Sequence, residues 1–521
     1  MRISNNTATL LGQLERLREK GVQLWAESGR LRFKAPAGTL TEHDIQVLKG
    51  SRSQVIAILQ GVGGQEHSEA NFSALAPTQA PLSLSQLWRW HLFHLNERHS
   101  ARMVARAIRL SGYLNLDVIR RSIGELIEAH QALRTRIVAL DGTPTQIVIP
   151  PTLSGPTVEN VRDIPVNSSE ATVRELIEGC TRAPIDMSAM SLVDIRLLRL
   201  GEDEHVLVLA LDHMISDAHS VEILVRDLFD GYARLLSGQA WRNGPAPTRF
   251  TDYAAWQRSA QKSLVDRHSA YWEGRLIGWQ RARFPIDKLL QHGSQGWGYV
   301  SFHIEAALKK SLIDWSRRNR TTLSMCFLTV YVGLLSRWCG TSEVLVQCQT
   351  HGRPGSGLEN TVGYFASLIG LRVSVRGDDC LVGLLGRVTQ EYCQATDRGD
   401  SSYIARQIAC GEFVRTSIFH WVPRKFEMEL SAIADPSSSL TLHPVSFENV
   451  ALGDLAWDND PEIQLLERNE DIVGQVYFPR DRFAAGTIRS LVGGFLIFAE
   501  SLLQFPDTPV NKLALPVEAT G

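Results

Sequence analysis

The chain has 521 residues, too many for one ordinary hydrophobic core, so two or three domains are expected. Hydrophobic residues make up 44% and charged residues 21%, with a formal net charge of -2 and no long basic run, a composition that fits a soluble globular protein and argues against nucleic acid as a partner. Seven cysteines include no CxxC pair and no His/Cys cluster at zinc spacing, no signal-peptide pattern opens the chain and no apolar run reads as long enough to span a bilayer; disulfides, a bound metal and a membrane partner are not expected, and the setting implied is a reducing cytoplasm.

Residues 1 to 60 read as a unit of their own. Leu10, Leu11, Leu14 and Leu17 followed by Gly21 predict a first helix with a glycine stop. Val22 to Trp25 and Leu31 to Phe33 predict two short strands around Glu27-Ser28-Gly29. Thr41 and Asp44 form the pattern of a capping box for a helix through Leu48, and Val55, Ile56 and Leu59 predict a last helix. This αββαα unit, with its GVxL, LRxxAP and GxLT elements, resembles the tubulysin-type (TubC) N-terminal docking domain of multienzyme synthetases. The resemblance implies that it recruits the C-terminal docking tail of an upstream synthetase subunit. Residues 61 to 80, rich in Gly, Ala and Ser without an apolar period, predict a flexible linker.

From Pro81 strands and helices alternate. Helices are predicted at Ser83 to Leu95 and Leu116 to His130, and strands at Met103 to Leu110, Thr145 to Ile149, Leu192 to Leu198 and Val206 to Leu211. A second series follows: a strand at Tyr299 to Ile304, helices at Ala306 to Arg318 and Leu323 to Trp338, and strands at Glu343 to Gln349 and Leu368 to Val375. The repeated order predicts two similar α/β lobes, 81 to 260 and 261 to 521.

The stretch from Glu204 to Leu236 joins an unbroken apolar strand to a helix with apolar residues at Val221, Leu224, Val225, Leu228, Phe229, Tyr232, Leu235 and Leu236. The loop between them carries His213, Ser216, Asp217 and His219. On these residues alone two readings stand side by side. His213 is a hydrogen-bonded histidine at a strand end and Asp217 a helix N-cap, or His213 is a neutral imidazole acting as base or acceptor with a carboxylate shaping its loop.

Five segments in order, SLSQLWRWHL (83 to 92), AHQALRTRI (129 to 137), LDHMISDAHS (211 to 220), FTDYAAWQ (250 to 257) and GRPGSGLENTVGYFASLIGLR (352 to 372), resemble the successive core motifs of condensation domains of nonribosomal peptide synthetases. The resemblance extends from Pro81 to the C-terminus. It implies two chloramphenicol-acetyltransferase-like lobes in a V-shaped pseudo-dimer with a tunnel between them. It also implies amide formation between an acyl or peptidyl thioester on a donor carrier protein and an aminoacyl group on an acceptor carrier protein. The phosphopantetheine arms belong to those carriers, and no cofactor is expected on the chain itself.

In the family's HHxxxDG signature, His213 stands at the second histidine, assigned to the acceptor amine, while Asp212 replaces the first histidine and Ala218 the glycine. Asp212, pointing to the other side of the strand from His213, is expected to need a hydrogen-bonded or cationic partner, and Ala218 to narrow the cavity. Asp217 is implied to pair with Arg353, tying one lobe to the other. Met214, Tyr364, Phe365 and His420 are the expected tunnel-lining residues, with His351 a further candidate, and Trp88, Trp90, Trp256, Trp272 and Trp338 expected core aromatics. Asp212, Asp217 and Ser220 also fit the DxxxxDxxS mark of heterocyclization domains, whose later catalytic threonine has its counterpart at His420. That chemistry, and a gate that binds carriers without catalysis, are the alternative readings.

Overall fold

A computed structural model describes residues 23–27, 30–34, isolated positions between 41 and 49, and residues 79–95, 103–151, 161–163, 175, 192–244, 247–285, 287, 297–353, 357–410, 414–423, 441–444 and 460–516. In the first 60 residues, strands β1 (Gln23–Glu27) and β2 (Arg30–Lys34) pair antiparallel from Gln23↔Lys34 to Glu27↔Arg30. The capping box is present: the Thr41 amide donates to Asp44 Oδ2 at 3.0 Å and the Asp44 amide to Thr41 Oγ1 at 3.2 Å. The helices expected around Leu10 to Leu17 and Val55 to Leu59 lie outside the described residues.

The first lobe is built on a five-stranded sheet in the order β14-β4-β9-β8-β7, with β14 (Thr441–Pro444) at one edge. Its centre is β4 (Met103–Ser111) against β9 (Glu204–Asp212), in register from Met103↔Asp212 to Ser111↔Glu204, with β8 (Val193–Arg199) on the other side of β9 and β7 (Val161–Asp163) at the edge. Every residue of β9 after Glu204 is buried, which is why it reads as an unbroken apolar run. Helix α1 is Leu84–Leu95, α2 is Leu116–Ala129 and α3 is Ala218–Leu236. The last two bury Ile119, Ile123, Leu126, Leu224 and Leu228 with Leu207, Leu209 and Leu211 in one core. Each fully buried aliphatic side chain contributes about 1.5–3 kcal/mol.

A small sheet, β3-β6-β5, flanks this lobe: β3 is Gln79–Pro81, β5 Thr135–Leu140 and β6 Thr143–Val148. Gln79 and Ala80, expected in the linker, are therefore strand residues, paired with Ile147 and Gln146. Local composition gave no sign of this because the partner strand lies some 65 residues away.

Helix α4, Phe250–Leu276, runs through the expected lobe boundary at 260/261, so that boundary is corrected: Phe250 packs with Phe365, and Trp272 is fully buried in the second lobe's core. The second lobe is a six-stranded sheet, β10-β16-β15-β13-β11-β12, made of β10 (Trp297–Ile304), β11 (Glu343–Thr350), β12 (Ser367–Ser374), β13 (Ile418–Val422), β15 (Glu462–Glu467) and β16 (Ile472–Pro479). Its helices are α5 (Ala306–Arg318), α6 (Leu323–Cys339), α7 (Leu381–Arg398), α8 (Asp400–Cys410) and α9 (Ala485–Gln504). By length and composition α9 would pass for a membrane span, which corrects the expectation that no apolar run is long enough. It is a core helix, with Leu491, Phe495, Phe498 and Leu502 buried against α6.

The chain between β13 and β15 crosses back to the first lobe, where β14 (Thr441–Pro444) extends its sheet beside β4 from Thr441↔Ser111 to Pro444↔Ile108. The α/β architecture is that of two lobes, each a sheet packed with helices, joined by this strand, by α4 and by polar contacts such as the Leu84 amide donating to Gln257 Oε1 at 2.8 Å.

Candidate active site at the seam between the lobes

His213 is the first residue beyond β9, in the five-residue loop before α3. Its Nδ1 lies 2.8 Å from the carbonyl oxygen of Ser216. A carbonyl only accepts, so Nδ1 carries the proton and Nε2 is the basic nitrogen of the neutral ring. The ring is half-buried and lies 5.0 Å from that of Tyr364, which the second lobe contributes. The loop is held in shape from below. Ser216 Oγ donates to the Asp212 carbonyl at 3.0 Å, the Met214 amide donates to Asp212 Oδ1 at 2.6 Å, and Gln86 Nε2 of α1 donates to the Met214 carbonyl at 2.7 Å.

Gln86 escaped sequence reading, although its signal was there. Ser83 and Gln86 form a capping box, with the Ser83 amide donating to Gln86 Oε1 at 2.8 Å and the Gln86 amide to Ser83 Oγ at 3.2 Å. The amide nitrogen left over is what reaches the loop.

Asp212 points into the lobe and is fully buried. The Met214 amide satisfies one carboxyl oxygen, while Oδ2 has no hydrogen-bond partner among the described residues. Burial raises its pKa above the ordinary carboxylate range, against the opposing pull of the Arg89 charge and the Met214 hydrogen bond. The expected partner is thus a backbone amide of its own loop, with Arg89 acting through its charge.

Asp217 is both helix cap and inter-lobe anchor. As N-cap of α3 its Oδ1 accepts from the Ser220 amide at 2.8 Å. Arg353 grips it with both ends of the guanidinium, Nη1 to Oδ2 at 2.9 Å and Nη2 to Oδ1 at 3.0 Å, and the amides of Phe365 and Ala366 add bonds of 3.1 and 3.3 Å to Oδ2. Burial by itself would raise this carboxyl's pKa. The Arg353 charge and hydrogen bond, then those of Ser220, outweigh it and hold the pKa at about 2.

Ser220 Oγ lies 2.7 Å from Asp217 Oδ1 and accepts from Arg353 Nη2 at 3.0 Å and from the Gly363 amide at 3.1 Å. A second tie crosses the seam nearby, where His219 Nε2 donates to the Glu359 carbonyl at 3.0 Å.

The Arg353 guanidinium also stacks 4.3 Å over the Phe365 ring. Two glycines permit this closeness. A Cβ on Gly352, whose φ is +58°, would lie 1.7 Å from the Phe365 carbonyl oxygen, and one on Gly363 would lie 2.0 Å from the Phe250 ring.

The structure therefore gathers His213, Asp217, Ser220, Arg353 and Tyr364 at one seam. Of the expected lining residues, Met214 is fully buried in the first lobe's core, and Phe365 is buried in an aromatic cluster with Phe250 and Tyr253, its ring under the Arg353 guanidinium. His351 is exposed, and Ala218 is exposed on the first turn of α3. His420 lies deeper on the second sheet, with Nδ1 2.8 Å from Gln349 Oε1. Trp88 and Trp272 are buried, whereas Trp90, Trp256 and Trp338 are half-buried.

A family model described as Condensation domain matches residues 77–520, most of the chain. The chain belongs to the condensation-domain family. A second model, the TubC N-terminal docking domain, matches residues 13–61. Among curated relatives, one of the linear gramicidin synthase proteins of Brevibacillus parabrevis is 29% identical over 65% of this chain and 7% of that protein. Isonitrile lipopeptide synthase of Mycobacterium tuberculosis is 27% identical over 83% of this chain and 17% of that protein. The chain thus spans less than a fifth of either relative's length. Among solved structures, the X-domain from teicoplanin biosynthesis superposes with a TM-score of 0.73 at 20% identity, covering 85% of this chain and 99% of that one. In this condensation fold the His213 loop lies on one lobe and its restraints, Arg353 and Tyr364, come from the other.

Proposed function

We propose that the chain joins a carrier-bound acyl or peptidyl thioester to the amine of a carrier-bound aminoacyl group, forming an amide and releasing the donor carrier's thiol. The observation that carries this reading is the tautomer of His213. The Ser216 carbonyl fixes the proton on Nδ1, leaving Nε2 as an acceptor at the inter-lobe seam. There it accepts a hydrogen bond from the attacking amine, keeps the nitrogen lone pair directed at the thioester carbonyl, and takes up the proton that the amine loses as the C–N bond forms. General-base assistance of this kind is worth on the order of 100- to 10,000-fold in rate. Holding both tethered reactants in a passage between the lobes contributes up to about 7–11 kcal/mol more. Asp217 and Arg353 do not touch the reactants. They hold the strand-to-helix loop against the second lobe, so the imidazole keeps its place.

The phosphopantetheine arms that carry the reactants belong to the partner carrier proteins, and residues 1–60 bind the tail of an upstream subunit. The setting is cytoplasmic.

Incubating the protein with loaded donor and acceptor carriers and weighing the carrier-bound products tests the reading. Transfer of the acyl mass to the acceptor is expected; a further loss of water would mean ring closure instead. His213→Ala should abolish transfer while carrier binding and folding persist. A variant that sustains wild-type transfer refutes the role of His213 and leaves a carrier-binding gate as the better account.

A further inference from the structure

Strands β11, β13 and β15 run parallel, Gln347 beside Ile418 and His420 beside Gln464, so their carboxyl ends converge at one end of the second sheet. The same end leads into the seam. Thr350, the last residue of β11, pairs with Ser367, the residue after Ala366 whose amide holds Asp217, and Arg353 follows three positions later. Gln349 lies at the carboxyl end of β11, the kind of place where α/β sheets build ligand sites, while His420 lies mid-strand in β13 and Glu462 is the first residue of β15.

The side of these strands matters as much as the end. Phe419 and Trp421 pack on Tyr331 and Phe327 of α6, with ring centroids 6.1 and 5.8 Å apart, and Ile463 and Leu465 are buried on that side too. Alternation puts His420 and Glu462 on the opposite side. That side faces the first lobe. Farther along it, Tyr403 of α8 donates to Gln347 Oε1 at 3.3 Å, α8 rests on α4 through Trp272 and Tyr403, and α4 bonds to α1.

On this side, next to Gln349, stands an acid and base pair that the His213 chemistry does not use. His420 is 8% and Glu462 2% exposed, and His420 Nε2 lies 3.5 Å from Glu462 Oε2. Gln349 Oε1 accepts from Nδ1, so the imidazole has its first proton committed. Nε2 makes no hydrogen bond among the described residues. At 3.5 Å the two atoms are too far apart for a good direct bond and well placed to share a group between them. Tyr477, opposite Glu462 on β16, adds a hydroxyl on the same face, donating to Gln475 Oε1 at 2.5 Å.

Resting on the condensation reading above, we propose that His420 and Glu462 form a polar recognition subsite of the passage, which takes a hydroxyl or amine substituent of a carrier-bound substrate at a point remote from the reacting carbonyl. An amine there donates one N–H to the Glu462 carboxylate and another to His420 Nε2, and a hydroxyl donates its one proton to either of them, while Gln349 keeps the ring in its orientation. The reach is right for a substituent. Tyr364, which faces His213, and Leu368, which pairs with Gln349, are four residues apart, at most about 14 Å of extended chain. A buried imidazole nitrogen that has no hydrogen bond among the described residues and gains one from such a substituent discriminates against substrates that lack it.

The test compares two matched probe pairs on carrier proteins: lysyl against norleucyl acceptors, and 8-hydroxyoctanoyl against octanoyl donors. The wild-type protein should favour the polar member of at least one pair by about 100-fold or more in kcat/KM, on the scale of sites built around a substrate hydroxyl or amine. Glu462→Gln and His420→Gln should bring that ratio within about tenfold of unity. If the Glu462 variant does not fold, Gln349→Met, which removes only the Nδ1 partner from a half-buried position, carries the same expectation. Wild-type ratios within about threefold of unity for both pairs overturn the proposal, as does an unchanged ratio in folded variants. Amide formation that ignores the substituent sinks this subsite alone, whereas no amide from any probe sinks the condensation reading and the subsite with it.

Discussion

Replacing Asp217 by alanine removes the most heavily bonded carboxylate of the seam. Its side chain is 4% exposed and that of Arg353 10%, so the substitution leaves a guanidinium largely out of water without its counter-charge. It also strips the α3 cap, takes its acceptor from the Ala366 amide, and leaves the Phe365 amide only its 3.2 Å contact to the Gly363 carbonyl. The carboxyl's pKa gives an independent scale. A value of about 2 against an ordinary 3.8 corresponds to about 2–3 kcal/mol of preference for the ionised form at neutral pH. Removing one partner of a buried pair costs roughly 3–5 kcal/mol, and the lost cap about 1 kcal/mol more. Urea denaturation at pH 7 should therefore show a loss of at least about 3 kcal/mol, and Arg353→Met combined with Asp217→Ala should cost clearly less than the two single changes summed. The sign with pH follows. Because the folded-state pKa is depressed, this stability is present above pH ~4 and is lost as pH falls through about 2. A variant within about 0.5 kcal/mol of wild type, or strictly additive energies, would refute the anchoring role.

Three further outcomes are expected. His205 is 2% exposed with neither ring nitrogen hydrogen-bonded among the described residues, and burial, then the Arg199 charge, lower its pKa. The native protein keeps it neutral while the unfolded chain protonates, so stability should fall as pH drops below ~6.5, and His205→Phe should flatten that slope in thermal melts between pH 5 and 8. Glu222 behaves oppositely. Burial outweighs the attraction of Arg106, 3.7 Å away, and raises its pKa to about 9, so its contribution is lost as pH rises from the ordinary 4.5 towards 9. Glu222→Gln should gain stability relative to wild type on the alkaline side; equal denaturation midpoints at pH 5 and pH 9 in both proteins would contradict this. Finally, Gly352→Ala places a methyl 1.7 Å from a carbonyl at a left-handed φ of +58°, and should cost more than the ~1–2 kcal/mol of backbone strain alone, measurable as a lowered Tm.

The deep core and the helix faces were legible because their signals are local. Helix Ala306–Arg318 was expected at its observed bounds, since its buried residues Leu312, Trp315 and Ser316 fall on one stripe, and β9 stood out because it is buried on both faces. Helix α4 was not predicted from the chain, where only the motif FTDYAAWQ at its start stood out. It packs one end on Phe365 and the other inside the second lobe, so no single stripe of apolar residues runs its length.

The residues of the candidate site were named from the chain, but the roles of several were not readable there. Sequence order alone determined that there are two α/β halves, a separate N-terminal unit and a loop bearing His213 and Asp217 between a buried strand and a helix, because periodicity and capping act over a few residues. Only the tertiary structure decided that Met214 is core, that Gln86 braces the loop, that Gln79 and Thr441 join distant strands, and that His420 meets Glu462. Each of those rests on a partner tens to hundreds of positions away, and which side chains then meet is set by sheet register and close packing, for which a linear pattern carries no coordinate.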